Sequence, residues 1–71
     1  MDILIFTTSV EKADQVSKVK PLLTALPAIT DWHFDLEDCD NILRIVATNI
    51  SPRYIESLLK AAGFDCRELE Y

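Results

Sequence analysis

The chain has 71 residues and a formal net charge of −5, from twelve Asp and Glu against seven Lys and Arg. That length excludes a second hydrophobic core and predicts one domain over residues 1–71. A hydrophobic fraction of 49% with one Gly and three Pro excludes disorder. The acidic balance repels polyanions and argues against nucleic acid, while a basic protein surface or a cation is easier to accommodate.

Residues 3–8, Ile-Leu-Ile-Phe-Thr-Thr, are β-branched, aromatic and aliphatic and predict a first strand. The apolar run Ile3–Phe6 is too short for a signal core or a membrane span, and no positive segment precedes it. A cytoplasmic location without membrane contact is the expectation. Glu11–Leu26 changes period: Val16, Val19, Leu22, Leu23 and Leu26 share one helical face. Thr8 and Glu11 have capping-box spacing at its start. Pro21 predicts a kink and not a break, because the apolar stripe runs through it.

Trp32–Leu36 alternates with period two, sending Trp32, Phe34 and Leu36 inward and His33 and Asp35 outward. Glu37–Asn41 is polar and predicts a hairpin turn, and Ile42–Thr48 predicts the third strand. Ser51 suits an N-cap and Pro52 the first helical position. Ile55, Leu58, Leu59 and Ala62 form the buried stripe of the second helix, which Gly63 stops; a last strand follows over Cys66–Glu70.

The order βαββαβ predicts an α+β, ferredoxin-like sandwich. Its four-stranded antiparallel sheet has the order 4-1-3-2, with two helices on one face and the other face in water. Alternation that buries Leu4, Phe6, Leu43 and Ile45 leaves Ile3, Ile5, Ile42 and Val46 on the open face with His33 and Arg44. Contiguous apolar residues there predict a protein partner or self-association, commonly a symmetric dimer.

Phe6, the helix residues Val16, Val19, Leu22 and Leu26, the turn Leu26-Pro27-Ala28-Ile29, the strand Trp32-His33-Phe34-Asp35 and the ending Ala62-Gly63-Phe64 carry a family likeness. Together they resemble the heavy-metal-associated domains of copper chaperones over essentially the whole chain. The resemblance implies a Met-x-Cys-x-x-Cys loop after strand one that holds Cu(I) or Zn(II). Counted from Val16 and Val19, the Met position is Val10 and the two cysteine positions are Lys12 and Gln15. A protonated lysine offers no lone pair and a glutamine amide is a poor soft-metal ligand, so the implied site is expected to be lost and no cofactor is expected.

Cys39 and Cys66 lie 27 residues apart and predict free thiols. With strand one antiparallel to strands three and four, both fall at the end of the Val10–Gln15 loop, roughly 10 Å apart, beyond a disulfide's reach. A displaced copper or zinc site using Cys39, Cys66 or His33 stays open as the alternative. Glu37, Asp38 and Asp40 lack the ligand ladder of a calcium loop and read as a solvated turn. Lys12 is either simply tolerated at an exposed position or stands in for a metal's charge toward an acidic partner. No nucleophile with a spaced base emerges, so the chain is not expected to be an enzyme. The leading reading is a non-catalytic interaction or adaptor domain, and the second is a metal-trafficking protein with an unusual site.

Overall fold

The computed structural model describes residues 2–36 and 41–69, and the elements run β1 (Asp2–Thr8), α1 (Ala13–Thr24), β2 (Ile29–Asp35), β3 (Ile42–Ala47), α2 (Pro52–Ala61) and β4 (Cys66–Glu68). The sheet order is β2-β3-β1-β4, which is 4-1-3-2 read from the other edge. All three pairings are antiparallel. Each crossover helix therefore joins two parallel strands with a third strand between them, which is the split βαβ arrangement.

One face of the sheet carries the core. Phe6, Phe34, Leu43, Ile45, Ala47 and Cys66 from the strands are buried with Val19 and Leu23 of α1 and Ile55 and Leu59 of α2. Trp32 is half-buried against that cluster, its ring edge-on to Phe34 with centroids 5.9 Å apart. Such a pair contributes about 1 kcal/mol beyond its buried area.

Several boundaries differ from the sequence expectation. α1 starts at Ala13, with Lys12 as N-cap, and not at a Thr8–Glu11 box. The reason is tertiary: the Thr8 hydroxyl donates to the Asn41 carbonyl at 2.8 Å and accepts from the Val10 amide at 3.2 Å. α1 continues through Pro21 as one helix to Thr24. β2 begins earlier, at Ile29, with an irregularity in register between Ile29 and Asp31. α2 meets its local signals: Ser51 caps it by accepting from the Arg53 amide at 3.2 Å, and Gly63 sits at φ +94°. That left-handed backbone is the stop that glycine permits.

Candidate functional site

The loop from Ser9 to Lys12 is the place where the family resemblance would put a metal. Val10 is fully buried in the core, so its side chain anchors the loop and faces no ligand. Lys12, exposed, has no lone pair with which to cap the helix. Gln15, three residues later, does the capping instead. Its Oε1 accepts from the Glu11 amide at 2.7 Å and from the Lys12 amide at 3.1 Å. Two otherwise orphaned donors are thus satisfied by the side chain at the second cysteine position.

The loop is also strapped from outside. The Thr8 amide donates to the Asn41 carbonyl, the Ser9 amide to the Asp65 carbonyl, and the Asp65 amide back to the Ser9 hydroxyl. Its neighbours are thus the start of β3 and the approach to β4, as the topology predicts.

Cys66 opens β4 opposite Thr8 and is buried. Burial, and after it the negative charge of Glu56, pushes its thiol up to about 12, with Lys60 opposing. A thiol so held is almost wholly protonated at neutral pH and is a poor nucleophile. The shift from 9.0 to about 12 lowers the thiolate fraction near neutrality by a factor on the order of 10³. In a Cys39→Ser variant, Cys66 should therefore react with a thiol reagent at pH 7.5 at least ~100-fold more slowly when folded than in urea. Equal rates would show that the thiol is not sequestered.

His33 lies exposed on the open face, paired in register with Arg44. Cys66 belongs to the core face at the far edge of the sheet, three strand spacings away, or about 14 Å. The structure does not bring these two together. Cys39 and the carboxylates Glu37, Asp38 and Asp40 lie outside the described residues. Among the described residues, no group of three or more His, Cys, Asp or Glu side chains stands close enough to hold a metal ion.

On the open face, Ile3 is 65% exposed, while Ile5, Ile42 and Val46 are half-buried. Register places the rows Asp35–Ile42–Thr7–Arg67, His33–Arg44–Ile5 and Asp31–Val46–Ile3 across the strands. Leu69 extends the middle row, because its amide donates to the Ile5 carbonyl at 2.8 Å. The two middle strands therefore present Ile3, Ile5, Ile42 and Val46 around Arg44 and Thr7, between Asp31, His33 and Asp35 on one edge and Arg67 on the other.

Glu56 is the residue that sequence reading missed. It is only 8% exposed, yet sits on α2 facing β4. Its Oε2 accepts from the Glu68 amide at 2.7 Å and its Oε1 from Arg53 at 2.7 Å. The available signals were its place beside Ile55 on the stripe that Leu59 continues and its i,i+3 spacing from Arg53.

No family model and no curated protein matches the chain. Solved structures do. The yeast copper transporter domain Ccc2a, in its apo and Cu(I)-loaded states, is 20% identical over 96% of this chain and 94% of its own, with a TM-score of 0.82. The N-terminal domain of ZntA in its Zn(II) form is 20% identical over 96% and 92%, with a TM-score of 0.79. The HMA domain of a copper chaperone for superoxide dismutase, in its apo form, is 19% identical over 96% of this chain and 66% of its own, with a TM-score of 0.78. Ccc2a has also been solved in complex with Atx1 and Cu(I). The backbone described above is thus the fold of the heavy-metal-associated domains.

Proposed function

We propose that this chain is a non-catalytic, cytoplasmic protein-interaction domain on the heavy-metal-associated fold, with a β1–α1 loop that no longer holds a soft metal. The observation that supports this reading is that Gln15, at the second position the resemblance assigns to a ligand, caps the loop, while Lys12, at the first, offers no lone pair. Gln15 binds the loop's amides, and Lys12 is an exposed cation at the N-cap, which disfavours a second cation beside it. The remaining surface suited to a macromolecule is the open sheet face with Ile3, Ile5, Ile42, Arg44 and Val46. No described helix is long and apolar enough to cross a membrane.

A second reading is favoured by the Cu(I)-loaded and Zn(II) forms of the structural neighbours: metal trafficking through Cys39, Cys66 or His33. Metal content after purification without chelator separates the two. Interaction-domain chemistry predicts copper and zinc far below one equivalent per chain. Near-stoichiometric metal that disappears in a Cys39→Ser or His33→Ala variant would favour trafficking.

A further inference from the structure

We propose that Asp31 seals the free edge of β2 against pairing with a strand of another chain, just as Glu56 occupies the free edge of β4. This goes beyond the interaction reading, since it concerns where contact is refused, and it does not depend on what the β1–α1 loop holds.

The register fixes which backbone groups face outward. The Leu69 amide donates to the Ile5 carbonyl, so Ile5 turns its peptide groups toward β4. Its partner Arg44 therefore turns its own toward β2, where it pairs with His33. By alternation, the peptide groups of Trp32 and Phe34 point out of the free edge of β2. On β4 the same alternation sends Leu69 inward and Glu68 outward. Outward amides on an edge strand are where the carbonyls of an added strand would dock.

On each edge, one of these amides is held by a carboxylate of the domain itself. The Trp32 amide donates to Asp31 Oδ1 at 2.9 Å, and the Glu68 amide donates to Glu56 Oε2 at 2.7 Å. Asp31 is the residue before Trp32, while Glu56 reaches across from α2 with its other oxygen held by Arg53. An added strand would have to displace the carboxylate and bring its own carbonyl oxygens up to that charge. The shift in register between Ile29 and Asp31 also breaks the straight run that a partner strand needs.

Of the two edges, β2 has more to seal. It has seven residues against three in β4, and it carries Trp32 and Phe34. A long, partly apolar edge is a template for other chains, and a charged side chain turned onto the edge is one way in which proteins blunt it. Asp31 is exposed and lies outside the core cluster, so replacing it leaves the packing of the domain in place.

Two substitutions at Asp31, followed by sedimentation equilibrium of the full chain from about 10 µM to 1 mM, test this. Asp31→Ala removes the oxygen from the Trp32 amide and should associate at least ~10-fold more strongly than the parent. The Trp32 amide of that variant should also gain protection from hydrogen exchange as concentration rises. Asp31→Asn makes the same change in net charge but keeps an oxygen for the Trp32 amide, and it should behave as the parent does. Circular dichroism checks that both variants are folded. An alanine variant that associates no more than the parent overturns the proposal. So does an asparagine variant that associates as strongly as the alanine one, because lost charge and not the freed amide would then be the cause. Metal content does not enter these results, so their failure leaves the reading of the loop to be judged separately.

Discussion

Glu56→Ala should lower the stability of the domain by about 3 kcal/mol, a large share of what a chain of this size has. Two terms combine. The Glu68 amide loses its acceptor, at about 1–3 kcal/mol for a buried orphan, and a charge-assisted bond from Arg53 disappears. Relief of the carboxylate's own desolvation offsets part of this. Glu56→Gln keeps one acceptor and should cost about 1 kcal/mol. Urea denaturation at pH 7 measures both. A loss below about 0.5 kcal/mol for the alanine variant would mean that water replaces the carboxylate freely at the β4 edge.

The same residue sets a pH dependence. The Glu68 amide first, and the Arg53 guanidinium next, hold the Glu56 carboxyl below its ordinary 4.5 against the opposing effect of burial. The unfolded chain then takes up the proton before the folded one as pH falls. Stabilisation is complete above about 4.5 and is lost as pH drops through the folded value. Glu56→Gln should flatten that part of the acid unfolding curve, and an unchanged slope would assign it to other carboxylates.

The second large effect is a gain. Lys12→Cys combined with Gln15→Cys should confer a one-to-one Cu(I) complex, tighter than anything the parent forms by ~10⁴-fold or more. The substitutions place two thiols at the N-cap and third positions of α1, where the positive end of the helix favours thiolates. Without metal the variant should be about 1 kcal/mol less stable than the parent, because the Glu11 and Lys12 amides lose the Gln15 oxygen. Each single variant should gain little. Competition against a Cu(I) chelator under reducing conditions reads the result. A double variant that binds no better than the parent would mean that the loop backbone, and not its two side chains, excludes the metal.

The fold was legible because its signals are local and agree with one another: the period-two strands, the Val19–Leu23 stripe, Ser51-Pro52 and Gly63. The positions that the resemblance assigns to the two ligands, Lys12 and Gln15, are counted back from Val16 and Val19. Three features were not legible. Thr8 has the side chain of a cap, but its hydroxyl is taken by the Asn41 carbonyl, 33 residues away in sequence. Gln15 reads only as a poor soft-metal ligand, and its capping role depends on where the Glu11 and Lys12 amides point. Glu56 gives no sign of its partner until β4 is packed beside it. For Thr8 and Glu56 the deciding partner is a backbone group positioned by tertiary structure, which residue patterns do not encode. For Gln15 it is local and turns on where the helix starts.

The loop is most directly tested by titrating the reduced, unaltered chain with Cu(I) while following the amide signals of Glu11, Lys12 and Gln15. The internal capping described here predicts that these signals stay where they are and that no stoichiometric complex survives mild competition. Saturable shifts at Glu11, Lys12 and Gln15 with one equivalent bound would contradict it.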